Sequence, residues 1–533
     1  MSSAPAPLHA VSHGPADAIV VGAGVAGLAA ALRLSHAGLS VLVLERHGAP
    51  GGRMRTLPSP AGPVDAGPTV LTMRPVFEAL FADVGERLED HLTLHRQHLL
   101  ARHFWPDGAQ LDLFDDEADS AEAVRTFAGA RAARQFTTFC ARARKLFEAF
   151  DAPMMQAPAP SLAQLGRYCA ARPWLLPLMA PGRTLAGLLE SAFDDPRLAQ
   201  LFGRYATYVG GSPYGVPALL ALIWHAEACG VWVVEGGMHR LAQVLAERAE
   251  ARGARFHYNA HVAEIDVQQG RACGVRLADG TRIAARQVLF NGDPRALATG
   301  AMGAGVAHLA PQTATTPRSL SAEVWAFAAT PRGPELAHHN VFFRDTARPE
   351  FDALSRGALV DDPTLYICAM DRGLPQAPPA LERFEIIANA PPLGPNTSPE
   401  EASRCQTRTF HTLERFGLSF SPEPGPSALT TPRGFESLFP ATGGALYGQS
   451  PEGMMAAFQR PTARSGMVGL YLAGGGAHPG AGVPMATLSA RHAAEAMLND
   501  RTSTSPSRQT ATRGGMSTGS APAAPARSAS SRS

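Results

Sequence analysis

The sequence is almost without lysine: Lys145 is the single lysine among 47 basic residues in a chain of 533. The acidic residues number 46, so the formal net charge is only +1. Such a balance leaves no basic surface of the kind that holds nucleic acid, and we expect no nucleic-acid partner.

Cysteine is also sparse, and its residues are scattered along the chain. The six are Cys140, Cys169, Cys229, Cys273, Cys368 and Cys405. They form no C-x-x-C pair, and no Cys/His cluster stands out in the sequence. This pattern argues against a disulfide scaffold and against structural zinc. We therefore expect no bound metal and a reducing, cytoplasmic environment.

Long hydrophobic runs are missing as well. Residues 205–226 contain no charged side chain, but Gly210, Pro213 and Pro217 interrupt them, and the apolar helix that remains is too short to cross about 30 Å of hydrocarbon. The N-terminus shows no secretory signal pattern. Both ends, residues 1–16 and the basic tail 501–533, contain little to bury and are predicted to be disordered.

Glycine-rich loops, by contrast, are abundant. The first follows an apolar run at 17–21 and precedes a predicted helix and a strand over 40–45, which is a β-α-β order. It has a G-x-G-x-x-G pattern made of Gly22, Gly24 and Gly27. These glycines permit a tight turn, close backbone approach to a pyrophosphate, and close packing of helix on strand. Glu45 ends the second strand, where a carboxylate accepts hydrogen bonds from a ribose. The unit predicts a dinucleotide site.

A second glycine pair follows shortly after. The stretch HGAPGGRMRT contains Gly51, Gly52 and Arg53. Backbone amides and a fixed cation there would face the phosphates of a cofactor, whereas the alternative interpretation is a plain surface turn. The next motif, VDAGPTVLT, contains Gly67 and Pro68 in a tight turn that is predicted to lead into an apolar strand.

These motifs resemble the superfamily of flavin amine oxidases and carotenoid desaturases. The C-terminal segment 469–497, GLYLAGGGAHPGAGVPMATLSARHAAEAM, resembles the bacterial phytoene-desaturase-type enzymes more narrowly. The segments GVWVVEGGMHRLA and AGGGAHPGAGVPMATLS together are most similar to the 1-hydroxycarotenoid 3,4-desaturases of phototrophic proteobacteria. These enzymes are also called methoxyneurosporene or hydroxyneurosporene desaturases.

The resemblance implies an α/β fold: a Rossmann-like flavoprotein with two dinucleotide-binding domains and an inserted mixed α+β substrate domain. It implies a discontinuous FAD-binding domain over 17–114, 236–317 and 441–500, and a substrate- and membrane-facing domain over 115–235 and 318–440. In that family a second glycine turn closes the FAD site, and here that turn contains Gly474, Gly476, Gly480 and Gly482. Because the turn has neither aspartate nor cysteine, we expect non-covalent FAD held largely by backbone.

The implied reaction is desaturation of an acyclic 1-hydroxycarotenoid, in which a hydride passes to the flavin and a proton leaves the neighbouring carbon. Because the polyene spreads the developing charge, alignment and exclusion of water are the main tasks of the protein. The sequence contains no Ser/His/Asp signature, H-E-x-x-H motif or P-loop. His478, the one titratable side chain in the C-terminal loop, is a hypothetical catalytic residue. The alternative is a hydrogen-bonded histidine that shapes the turn.

A lipophilic polyene requires an apolar channel, which we expect in the substrate domain. Because such a substrate dissolves in bilayers, we expect a cytoplasmic protein in peripheral contact with the inner or intracytoplasmic membrane. Residues 168–189 are the candidate interfacial segment, and a core helix pair is the alternative. Oxygen or a quinone is the expected electron acceptor. A phytoene desaturase, a flavin amine oxidase and a non-catalytic nucleotide-fold binder stay open as alternatives.

Overall fold

The computed structural model describes residues 16–393 and 401–504. The disorder predicted for the two ends therefore lies almost wholly outside the described residues. At the two boundaries the prediction was wrong, because Ala16 begins the first strand and residues 501–504 continue the last helix.

The described residues form nineteen strands. They are β1 Ala16–Val21, β2 Val41–Leu44, β3 Thr56–Leu57, β4 Val64–Asp65, β5 Leu94–Arg96, β6 Leu99–Phe104, β7 Gln110–Phe114, β8 Trp232–Val234, β9 Arg255–His257, β10 Val262–Gln268, β11 Arg271–Leu277, β12 Arg282–Phe290, β13 Ser321–Arg332, β14 His339–Phe342, β15 Leu365–Ala369, β16 Glu382–Ala390, β17 Ser419–Ser421, β18 Leu429–Thr430 and β19 Leu470–Leu472.

The same residues form fifteen α-helices. They are α1 Val25–His36, α2 Arg74–Ala82, α3 Glu117–Phe150, α4 Leu162–Ala170, α5 Leu175–Met179, α6 Leu185–Ala192, α7 Pro196–Gly203, α8 Leu222–Ala228, α9 His239–Glu250, α10 Arg295–Ala298, α11 Gln312–Thr315, α12 Arg348–Ser355, α13 Glu401–Glu414, α14 Pro432–Leu438 and α15 Val483–Thr504.

The first sheet is the Rossmann-like part of the molecule. Five of its strands run parallel in the order β9-β2-β1-β12-β19, and the antiparallel hairpin β10–β11 extends it beyond β12. Strands β1 and β2 are apolar runs buried on both faces, as a parallel sheet requires. Helix α1, built largely from alanine and leucine, packs against α9 and α15. The predicted α/β flavoprotein fold is confirmed.

The second sheet is mixed and has the order β17-β13-β16-β15-β14-β6-β7, with β18 paired to β13. It contains the hairpin β6–β7, which the sequence prediction placed in the FAD-binding segments. The hairpin instead pairs with β14, because Leu111 and Leu113 bury their side chains with the helical cluster around Phe136 of α3. The rest of the domain division stays a prediction.

Helices α3 to α8 form a layer whose apolar core is shared with residues of β6, β7 and β14. The longest, α3, is interrupted at Gly129, whose backbone leaves the helical conformation. No helix in the described ranges combines the length and the apolar character needed to cross a membrane.

Candidate functional site

A cavity of about 710 Å³ opens at the carboxyl ends of the parallel strands. Each of four neighbouring strands is followed by a residue that lines it: Gly22 after β1, Glu45 after β2, Asn291 after β12 and Gly474 shortly after β19. This edge is where open α/β sheets bind their ligands, because the loops that leave the strands diverge there.

Glu45 connects the first glycine loop to the cavity. Its carboxylate accepts a hydrogen bond from the Ala23 amide at 2.6 Å and another from the His47 amide at 2.9 Å. The side chain is almost fully buried and lines the cavity. The carboxylate is thus held in the position that the sequence prediction assigned to ribose recognition.

The second glycine pair docks on the first loop. The Gly51 amide donates to the Ala23 carbonyl at 2.9 Å, and a Cβ at Gly52 would lie only 3.1 Å from the Gly24 Cα. Gly52 also has a positive φ of 59°, which favours glycine. The alternative of a plain surface turn is therefore wrong, because both glycines line the cavity.

Arg53 brings a partly buried cation to the same cavity. Its guanidinium lies over the Phe439 ring at 5.2 Å and donates to the Ala445 carbonyl at 3.4 Å, while its Nε has no hydrogen-bond partner. Burial lowers the pKa of Arg53. A buried donor without a partner in a cavity wall fits an acceptor atom of a bound cofactor.

The remaining predicted cofactor-binding residues divide into those that line the cavity and those that do not. Gly67, Pro68, Gly474, Gly476 and Gly482 line the cavity together with those already described. Gly27 and Gly480 do not. Gly27 lies beneath the first loop, where a Cβ would collide with the Gly22 carbonyl, and Gly480 packs beside Arg460. Their roles are in packing, and they are not placed to contact a ligand in the cavity.

His478 lies outside the cavity lining. Its Nε2 donates to the Ala157 carbonyl at 2.8 Å, and its ring stacks on His492 with centroids 5.9 Å apart. Burial lowers its pKa. This geometry corrects the catalytic hypothesis, because the ring is bound to the neighbouring segment and not directed at the cavity. The turn-shaping alternative matches the structure.

Sequence reasoning missed two side chains that hold the glycine loops. Asn291 donates from Nδ2 to the Gly22 carbonyl at 3.1 Å. Arg460 is buried and donates to the carbonyls of Gly475 at 2.6 Å and Tyr447 at 3.1 Å. Asn291 stands in the motif VLFNGDP at the end of β12, which could have indicated it, whereas no local pattern marks Arg460.

Two helices begin at the cavity. Val25 opens α1 and Val483 opens α15, and both residues line it. The N-terminus of a helix has free amide groups and the positive end of the helix dipole, so it attracts phosphate and other negative charge. Two such ends in one cavity fit the two ends of a long anionic dinucleotide.

The opposite wall comes from the second sheet and the helical layer. Val324, Val341 and Ile387 give it an apolar surface. Arg204 and Tyr208 lie at the same wall, and the Tyr208 hydroxyl donates to the buried Glu227 carboxylate at 2.7 Å. Burial raises the pKa of Tyr208. One cavity therefore joins the glycine loops to an apolar surface.

Residues 25–321 match the family described as flavin containing amine oxidoreductase. The chain belongs to that family. It is accordingly an oxidoreductase with a flavin cofactor. The fold agrees, because an oxidoreductase from Methanosarcina mazei superposes with a TM-score of 0.58 at 17% identity, over 90% of this chain and 99% of that one.

Within the family, the chain belongs to the phytoene-desaturase-type group. The hydroxyneurosporene desaturase of Cereibacter sphaeroides is 56% identical over 91% of this chain and 98% of that protein. That of Rhodobacter capsulatus is 51% identical over the same shares. The lycopene-forming phytoene desaturase of Pseudescherichia vulneris is 31% identical over 90% of this chain and 99% of that protein.

Proposed function

We propose that this family member is an FAD-dependent carotenoid desaturase that introduces the C-3,4 double bond into acyclic 1-hydroxycarotenoids. The observation that carries the proposal is the single cavity in which the dinucleotide loops meet an apolar wall. The identities of 56% to a hydroxyneurosporene desaturase and 31% to a phytoene desaturase favour the late substrate over phytoene.

FAD is the flavin that the cavity suits, because a dinucleotide needs sites for two ends. The α1 N-terminus with Gly22 and Gly24 would hold the pyrophosphate, and Glu45 the adenosine ribose. The α15 N-terminus with Gly474 would face the flavin end. None of the six cysteines lines the cavity, all of them being described, which supports non-covalent binding. Acid precipitation should then release FAD into the supernatant.

The bound flavin supplies the acceptor for the hydride that leaves the substrate. The residues of the chain have three other tasks. The apolar wall around Val324, Val341 and Ile387 aligns the polyene and excludes water. The positive ends of α1 and α15 stabilise negative charge on the cofactor. Oxygen or a quinone would be the final electron acceptor.

The substrate would enter from a bilayer, and one surface segment suits contact with it. Leu162, Trp174 and Leu176 are large apolar side chains that are 52, 52 and 48% exposed. Arg172 and Arg183 flank the last two. An exposed Trp/Leu group beside arginines is typical of proteins that lie on a membrane surface. We place the protein at the cytoplasmic face of the inner or intracytoplasmic membrane.

The test is turnover of two substrates by the protein reconstituted with vesicles. With 1-hydroxyneurosporene the polyene absorption should shift to longer wavelength, and with phytoene it should not change. The same preparation without flavin is the control and should leave both spectra unchanged. A shift with phytoene would show that the protein is a phytoene desaturase instead. A flavin-loaded protein that is inert to both carotenoids would overturn the proposal.

A further inference from the structure

The second sheet contains a group of buried nitrogen and sulfur side chains that the proposed reaction does not use. His338, His339 and Cys368 each present one metal-ligating atom, and these three atoms lie within 4.8 Å of one another. All three residues are buried. The sequence hides the group, because about 30 residues separate the histidines from the cysteine and the pairing of β14 with β15 places His339 opposite Cys368.

The hydrogen bonds orient the ligating atoms toward one another, and Nε2 of His338 bonds the Cys368 thiol. The Nδ1 atom of His338 contacts the Arg372 carbonyl at 2.6 Å, and since a carbonyl only accepts, Nδ1 bears the proton and Nε2 offers its lone pair. Nδ1 of His339 lies 2.6 Å from the Tyr366 hydroxyl, which can either donate or accept, and its buried Nε2 has no partner. When the hydroxyl accepts, Nδ1 bears the proton and Nε2 offers its lone pair. Metal-bound histidines are oriented in this way by outer groups.

The distance between the ligating atoms of His338 and Cys368 also suits a bound metal ion. Nε2 of His338 lies 3.5 Å from Sγ of Cys368. Zinc bonds of about 2.3 Å to sulfur and about 2.0 Å to nitrogen at a tetrahedral angle place the two ligand atoms about 3.5 Å apart.

The charge around the group favours a cation. Glu385 stands opposite Cys368 on β16, is fully buried, and has no hydrogen-bond partner for either carboxylate oxygen. Arg55 interacts with this carboxylate, and a further positive charge beside it would offset the cost of its burial.

We propose that His338, His339 and Cys368 bind a divalent ion of the zinc class, with Glu385 balancing its charge. Binding forms one metal–sulfur and two metal–nitrogen bonds and releases the thiol proton to solvent. The site ties β14 to β15. It also orients Tyr366, which lines the cavity and bonds Thr69 at 2.8 Å. Its role is therefore structural, in the wall of the cavity.

The first measurement is the metal content of the untagged, flavin-loaded protein. We expect about one zinc ion per chain. Cys368→Ser and His339→Gln should each lose it. Matched controls are Cys405→Ser, a buried thiol with a threonine neighbour, and His103→Gln, whose Nδ1 bonds the Leu111 carbonyl while its Nε2 is unpartnered. Both controls should keep the metal.

A second measurement tests the site without any substitution, so it still applies when the variants fail to fold. Unaltered protein grown with Co²⁺ should show thiolate-to-cobalt absorption that a chelator removes. Copper in place of zinc, with the same dependence on the three ligands, would also support the site. Folded, flavin-loaded protein with no metal above background and no cobalt absorption would overturn it. So would metal that persists in Cys368→Ser.

Discussion

Gly27 is the residue at which the first loop is most tightly packed. A Cβ there would collide with the Gly22 carbonyl and lie 2.7 Å from Asn291 Nδ2. We expect Gly27→Ala to lower the free energy of unfolding by about 1–3 kcal/mol, as overpacking does, and to reduce the flavin bound per chain. Urea unfolding and the flavin-to-protein absorbance ratio measure the two effects.

The control for this change is Gly166→Ala. Gly166 lies in α4 with no atom within 4 Å of an added Cβ. The free energy of unfolding of this variant should stay the same or rise by up to about 1 kcal/mol, since alanine favours a helix. If both substitutions changed the free energy of unfolding and the bound flavin equally, the close packing at Gly27 would not be the cause of the effect.

Glu45 provides a second prediction at the residue scale. Its carboxylate accepts from the Ala23 and His47 amides while it lines the cavity. Glu45→Gln removes the charge and one acceptor, so we expect a loss of about 1.5–3 kcal/mol in flavin affinity, or about 10- to 150-fold. Flavin titration of the deflavinated protein checks this. Glu122→Gln, on the exposed side of α3, should leave the affinity unchanged.

Between elements, Glu86 connects the segment after α2 to α9. Its carboxylate pairs with Arg248 at 2.8 Å and with Arg252 at 2.7 Å. Burial alone would raise the pKa of Glu86, but the hydrogen bonds and charges of the two arginines outweigh it and lower the pKa to about 2. The folded state therefore keeps the carboxylate ionised at a pH where the unfolded chain takes up a proton.

The resulting stability has a defined pH window. Because the pKa of Glu86 is lower in the folded state, the ionised carboxylate stabilises the fold at any pH above about 4.5, its pKa in the unfolded chain. This stabilisation is lost as the pH falls toward 2. We expect Glu86→Gln to cost about 1–2 kcal/mol at pH 7, allowing for solvent screening, and less below pH 4.5. Denaturant unfolding at several pH values measures this. Glu247→Gln, exposed on α9, is the control, and a pH-independent difference for Glu86→Gln would contradict the prediction.

Elements that depend on neighbours in sequence were predictable. Strands β1 and β2 lie within one residue of the predicted bounds, and α1 begins three residues before the predicted helix, because buried apolar runs and a glycine turn specify this unit locally. The apolar strand predicted after Pro68 was wrong. There the described chain forms only an isolated bridge between Leu71 and Trp232. A strand needs a continuous partner, and residue types alone do not supply one.

At the scale of the whole molecule, the exposed apolar segment predicts membrane binding. Burial of a large apolar side chain contributes about 1.5–3 kcal/mol, so the double variant Trp174→Ser/Leu176→Ser should lower vesicle binding at least about tenfold. Co-sedimentation with anionic vesicles, with flavin content as a check on folding, measures this. Val468→Ser removes a side chain that is 61% exposed next to β19 and serves as the matched control. Equal loss in both proteins would contradict a specific docking surface.

The sequence by itself determined the first glycine loop and Glu45, because both follow from residues within one β-α-β unit, and the fold class followed from the family resemblance of its motifs. It also indicated that Gly474 and its neighbours return to the same site, through a motif that resembles a known family. Only the tertiary structure decided which distant side chains meet there. Asn291 and Arg460 hold loops that are far from them in the chain, and His478 is bound to a segment 321 residues away. Such contacts depend on how strands pair and helices pack, and a local pattern does not encode them.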